Sequence, residues 1–207
     1  MRKIVGLVLL ALLLPLQACA QEQWKEGEHY EVIAEKATAK PEVIEFFSFW
    51  CPHCFRFESL VTEIKKKLPD DVPFKKTHVN FMGFTTPEIQ DDATKAMMVG
   101  RILKQEDLIN SAIFKYIHVQ KAHITSLKDL KNIFIVNGVD GETFDKQVAG
   151  FSVNSMALKN NKTIDEYRNH VNSVPTFIVN GKYKAKFTRD MNSDDIVNLI
   201  VWLTHLK

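Results

Sequence analysis

The chain has few cysteines: Cys19, Cys51 and Cys54 are the only ones in 207 residues. The Cys51–Cys54 pair has no second CxxC and no closely spaced histidine pair to complete four ligands, so no metal is expected. The histidines are scattered, and His29, His118, His123, His170 and His205 read as surface or packing residues. Charge of one sign is also lacking. Residues 1–20 carry Arg2 and Lys3 and no acid, and the remainder balances 25 basic against 25 acidic residues. No Lys/Arg stripe interleaved with aromatics is present, so nucleic acid is not an expected partner. Lys65-Lys66-Lys67 reads as a solvated helix end. There is no internal repeat and no low-complexity tract.

No apolar run reaches the roughly 20 residues of a membrane-spanning helix. The N-terminal run Ile4–Leu16 follows Arg2 and Lys3 and leads to Ala18-Cys19-Ala20. That is the pattern of a secretory signal peptide over residues 1–20, cleaved after Ala20. An alternative is a lipoprotein signal through Cys19, since Leu16-Gln17-Ala18-Cys19 loosely follows a lipobox, with Gln17 a poor fit. Export together with a cysteine pair points to an oxidising compartment.

What the chain does contain is the stretch from Val43 to Leu60, VIEFFSFWCPHCFRFESL. Val43, Ile44, Phe46, Phe47 and Phe49 form a short β-forming apolar run. Cys51-Pro52-His53-Cys54 follows, and Pro52 suits the first turn of a helix. Phe55, Phe57, Leu60, Val61 and Ile64 then recur at helical spacing. Two cysteines at i and i+3 on a helix start can close a small reducible disulfide. The helix N-terminus favours a thiolate at Cys51, and a partly charged His53 imidazole would favour it further.

Around this stretch the pattern predicts an edge strand over 30–34 (YEVIA), after a loose polar arm at 21–28. The helix runs through Lys67 and stops at Pro69, and a second strand spans 72–81. Strand–helix–strand of this length is a parallel βαβ unit. Five helices are then predicted between about 85 and 170, with Met97-Met98 in their core. Strands return at 175–179 (PTFIV) and 182–187, joined by a two-residue turn at Asn180-Gly181. Ser193 is placed as the cap of a last amphipathic helix.

This order, with EFFSFWCPHC at 45–54, KKKLP at 65–69, HVNFMG at 78–83, Val174-Pro175 and FIVNGKY at 177–183, resembles the DsbA family of thiol:disulfide oxidoreductases. The likeness covers nearly the whole chain beyond residue 20 and is weakest within 84–170. It implies an α/β thioredoxin fold with a mixed central sheet. Residues 21–84 and 171–207 would form the thioredoxin-like domain, and 85–170 an inserted helical domain. It further implies Cys51 as the exposed nucleophile, Cys54 as the buried resolving partner, and Pro52 and His53 as the dipeptide that tunes the potential. Val174 and a cis Pro175 would bind substrate opposite the cysteines. Glu45 and Lys76 would form a charged pair beneath the disulfide, either an ordinary salt bridge or a proton relay, with Glu58 nearby. Trp50 departs from the Phe common in the family. A low thiolate pKa and an oxidising potential are properties of the family that the resemblance brings with it.

The implied activity is the introduction of disulfides into exported proteins in the periplasm by exchange through Cys51–Cys54. Reduced protein is then expected to be more stable than oxidised protein at neutral pH. No cofactor is expected, and the chain is expected to act as a monomer. Implied partners are unfolded or reduced secreted proteins and a DsbB-like, quinone-linked membrane oxidase. Two rival readings stay open: a disulfide isomerase or reductase on the same fold, and a redox-silent chaperone or peptide-binding module.

Overall fold

The protein is described by a computed structural model over residues 24–206; the expected signal peptide at 1–20, with Cys19, lies outside the described residues. Val43–Phe47 (β2) is the middle of the fold, and all five of its residues are buried. Helix α1, Pro52–Lys67, connects it to β3, Phe74–His78, which lies parallel to β2. On the other side β2 pairs antiparallel with β4, Thr176–Val179. Then come β5, Tyr183–Ala185, and β1, Tyr30–Val32, giving a mixed five-stranded sheet in the order β1-β5-β4-β2-β3.

A strand covered on both faces can be apolar throughout, and β2 uses both of its faces. Val43 packs with Val61, Ile64, Leu199 and Ile200 of α1 and α7 (Ser193–Leu203). Ile44 and Phe46 point the other way, onto Ile164 and Tyr167 of α6 (Phe151–Tyr167). Between β3 and β4 the chain forms α2 (Pro87–Ile102), α3 (Glu106–His118), α4 (Leu127–Val136), α5 (Gly141–Ala149) and α6. Their apolar core contains Met97, Met98, Ile113, Phe114, Phe134 and Phe144, and it continues into Phe47, Phe49, Cys51 and Cys54. The cysteine turn is therefore packed directly against the helical layer.

Several expected boundaries moved. The strand predicted over 72–81 is paired only over Phe74–His78. It is an edge strand, and Asn160 of α6 caps its outer side, accepting from His78 N–H at 3.1 Å and donating to His78 C=O at 2.8 Å. The last helix is capped by Asn192 rather than Ser193. The Asn192 side chain accepts from the amides of Asp194 and Asp195, and the Asp195 carboxylate accepts from Asn192 N–H, a capping box. The turn at Asn180-Gly181 has positive φ at both residues, as a two-residue hairpin turn needs. The ladder resumes only at Tyr183, which pairs with Val179, so Lys182 stays outside it. The N-terminal arm is not loose in its described part: Trp24 is buried against the α7 side of the sheet and meets His29 edge-on.

Candidate active site

The register of β2 against β4 pairs Phe46 with Thr176. It brings the segment before β4 alongside the segment after β2, which leads into the cysteines. Cys51 is the N-cap of α1, with Pro52 in the first turn. As at any helix start, N–H groups there lack intrahelical partners and face the cap. The Cys51 sulfur accepts from Cys54 N–H at 3.2 Å, and its thiol lies 3.3 Å from the carbonyl oxygen of Val174. The Val174–Pro175 peptide bond is cis, as the resemblance implied. Both cysteines are free thiols, so the site is seen in its reduced form. The open thiol expected at Cys51 is a correction: it retains 3 % exposure, with the Val174 carbonyl lying across it.

The two thiols are driven apart. A hydrogen bond from the Cys54 thiol lowers Cys51 most, the backbone amides of Cys54 and His53 and the charge of Arg56 add to it, and burial opposes; the result is about 6. Burial pushes the Cys54 thiol far above its ordinary value, and the bond to Cys51 and the charge of Glu45 push the same way. Opposite shifts on adjacent groups are what a nucleophile beside a proton-holding partner requires.

Beneath them lie three charged residues placed by the sheet and α1. Glu45 stands opposite Lys76 in the parallel register of β2 and β3. Lys76 Nζ is 2.8 Å from Glu45 Oε2, 2.6 Å from Glu58 Oε1, and 4.4 Å from the centre of the Phe47 ring. Burial alone would lower Lys76, but the two carboxylates outweigh it and hold its amine above the ordinary range. Burial raises the Glu45 carboxyl, with Lys76 opposing. Glu45 Oε1 has no hydrogen-bond partner among the described residues. The start of α1 thus brings Cys51 and Val174 together, while Glu45, Lys76 and Glu58 join one another across β2, β3 and the middle of α1.

His53 is exposed, and its Nδ1 lies 2.8 Å from Arg56 Nη2. Two further residues escaped the sequence reading. His118, at the end of α3, places Nε2 2.8 Å from the Phe49 carbonyl and stacks on Phe55 at 5.1 Å between ring centroids. It holds the residues on both sides of the CxxC. His78 is fully buried beside Phe49 and Trp50, with Nδ1 2.9 Å from Thr94 Oγ1. Arg56 had a local signal, since i and i+3 residues are neighbours on a helix. His118 had none, because its contact spans 69 residues of sequence.

The chain is similar to known proteins over most of its length. A family model described as Thioredoxin matches residues 29–200. The chain is 36% identical over 186 residues to the thiol:disulfide interchange protein DsbA of Escherichia coli K12, covering 88% of this chain and 86% of that one. It is 35% identical over 176 residues to the DsbA of Haemophilus influenzae, covering 84% and 82%. Among solved structures, DsbA of Klebsiella pneumoniae superposes with a TM-score of 0.78 at 25% identity, over 89% of this chain and 100% of that chain. A Cys-to-Ser variant of Proteus mirabilis DsbA, in complex with the non-covalently bound peptide PWATCDS, gives 0.76 at 27% identity over 87% and 98%. The chain therefore belongs to the DsbA family of thiol:disulfide oxidoreductases.

Proposed function

We propose that the protein is a dithiol oxidase of exported proteins, working through Cys51 and Cys54. The observation that carries this is the Cys51 sulfur at the N-cap of α1, accepting from Cys54 N–H at 3.2 Å and lying 3.3 Å from the Val174 carbonyl before cis Pro175, with the two thiols shifted in opposite directions. In the oxidised form a substrate thiolate attacks the Cys51 sulfur, the Cys51–Cys54 bond breaks, and Cys54 leaves and takes up a proton. A second substrate thiolate then attacks the substrate sulfur of the mixed disulfide and expels Cys51 as thiolate. Two electrons pass from substrate to protein, and the substrate gains one disulfide. A stable Cys51 thiolate is a good leaving group and favours the reduced protein, which makes the disulfide oxidising.

Supporting roles follow from position. The Glu45 carboxyl, raised by burial, is the acid at hand for the proton on Cys54, with Lys76 and Glu58 setting its charge. The backbone before Pro175 offers an extended substrate an edge to pair with, as in strand addition. That the Proteus relative holds a peptide without a covalent bond supports this reading. Pro52 and His53 shape the start of α1. The thioredoxin-like unit is read as 21–84 with 171–207, and 85–170 as its helical insertion. We place the protein in the periplasm after removal of residues 1–20, as a monomer re-oxidised by a DsbB-like membrane partner.

The test is the equilibrium of the pair against glutathione, followed by tryptophan fluorescence, because Trp50 adjoins Cys51. A potential well above the glutathione couple is expected, and Cys51→Ser should abolish exchange. A potential near that of thioredoxin would instead make the protein a reductase. Full biological activity of Cys51→Ser would point to a redox-silent binding module.

A further inference from the structure

Residues 48–51 form a tight turn between β2 and α1, closed by Cys51 N–H donating to the Ser48 carbonyl at 3.0 Å. The two commonest turns of this kind differ by a flip of their middle peptide, which reverses its N–H and its carbonyl. Here that peptide joins Phe49 to Trp50. Its N–H donates to Ser48 Oγ at 3.3 Å, a bond within the turn. Its carbonyl lies 2.8 Å from His118 Nε2, at the end of α3. A carbonyl only accepts, so Nε2 carries a proton and donates. Phe114, one turn earlier on α3, meets the Phe49 ring edge-on at 5.1 Å. Two successive turns of a helix distant in sequence thus grip the side chain and the carbonyl of one residue, two positions before Cys51.

We propose that His118 is a positioning residue of the redox site: by fixing the middle peptide of the turn at 48–51, it holds the Cys51 sulfur at the cap of α1. The proposal rests on the dithiol oxidase reading and adds to it a residue outside the cysteine motif and its helix. Cys51 follows the middle peptide after one residue, so a flip there redirects the chain as it enters α1. The sulfur keeps its bond from Cys54 N–H, at 3.2 Å, only while Cys51 stays in its extended cap conformation. Ser48 secures the N–H end of the peptide with the longer of the two bonds, and His118 secures the carbonyl end with the shorter. The imidazole is itself fixed from the other side of the motif. It stacks on Phe55 at 5.1 Å between centroids and 11° between planes. Phe55 N–H in turn donates to the Cys51 carbonyl at 3.1 Å, at the first turn of α1. One ring therefore touches the chain just before and just after the two cysteines.

The experiment is a titration of the Cys51 thiolate by ultraviolet absorbance in reduced wild type, His118→Gln and His118→Phe, with thermal melts alongside. Glutamine carries an N–H donor at nearly the reach of the imidazole Nε2, whereas phenylalanine keeps a ring against Phe55 and has no donor. His118→Phe should weaken the acid dissociation of Cys51 about two- to tenfold, the worth of one cap hydrogen bond. It should shift the equilibrium with glutathione towards oxidised protein by a similar factor. His118→Gln should titrate as wild type. A histidine that only packs would lower the melting temperature of His118→Phe and leave its titration at the wild-type position. A histidine that acts through charge would make the His118→Gln curve match that of His118→Phe. Either outcome overturns the proposal. Nitrogen-15 spectra of the reduced wild type give a reading that depends on no variant: they should show a proton on His118 Nε2, and a bare Nε2 would also overturn it. A wild-type Cys51 that titrates as an ordinary thiol would instead overturn the oxidase reading, so the two failures are distinguishable.

Discussion

A single buried imidazole sets an acid limit on this protein. His78 is wholly enclosed, and its Nε2 has no hydrogen-bond partner among the described residues. Burial foremost, then the charge of Lys76, lowers it to about 3. An unfolded histidine titrates near about 6.5. Between those values the unfolded chain binds the extra proton and the folded one does not. Stability therefore rises with pH through that window and is lost as pH falls through it. At pH 5 the loss from this one group is about 2 kcal/mol. Urea unfolding at pH 5 and pH 8 should show His78→Gln losing about that much less than wild type; equal losses would remove His78 from the account. The residue scale also shows what a sequence can carry. Cys51, Pro52 and Cys54 were legible because four consecutive residues encode their own local geometry. The roles of His78 and His118 depend on partners 16 and 69 residues away, which no local pattern announces.

At the scale of elements, the helices were more legible than the strands. Pro52 and Pro87 in first turns, the acid pair after Asn192 and the 3.6-residue apolar spacing mark a helix using its own residues. A strand ends where its partner ends, so β3 is shorter than its alternating sequence suggested. Asn180 illustrates the same limit. It was legible as a turn residue because it tolerates its φ of 54°. Its second role was hidden. Its Oδ1 accepts from Glu42 N–H at 3.1 Å, and its Nδ2 lies 3.1–3.3 Å from the carbonyls of Leu203, Thr204 and Leu206. One amide thus ties the hairpin, the entry to β2 and the end of α7 together. Asn180→Ala strands several of these groups and puts a less tolerant residue at positive φ, which should cost about 2–4 kcal/mol. Denaturant unfolding measures that loss, and the potential of the cysteine pair should stay at its wild-type value because the turn lies at the far end of β4.

For the whole molecule, the question is which redox form is more stable, and two effects compete. A disulfide between residues three apart limits the unfolded chain only slightly, worth about 2 kcal/mol in the loop-entropy account. Against it stands the thiolate of the reduced form. Cys51 folds with its thiol at about 6, against about 8.5 when unfolded. A depressed acid stabilises the folded reduced protein fully above the unfolded value, and that gain is lost as pH falls through about 6. It amounts to about 1 kcal/mol at pH 7 and between 2 and 3, roughly, at pH 8. Cys54, raised by burial, stays protonated when folded and is mostly protonated when unfolded, so it takes back only about 0.2 kcal/mol at pH 8. The resemblance alone led to the expectation that reduced protein is the more stable at neutral pH. The two effects are of similar size near neutral pH, so the reduced form gains on the oxidised form as pH rises above about 6 and the crossing lies near neutrality. Urea midpoints of both forms at a series of pH values from 6 to 8 measure the crossing. A stability difference independent of pH would mean that Cys51 is not the low thiol of the pair, and the oxidising direction of the exchange would lose its physical basis.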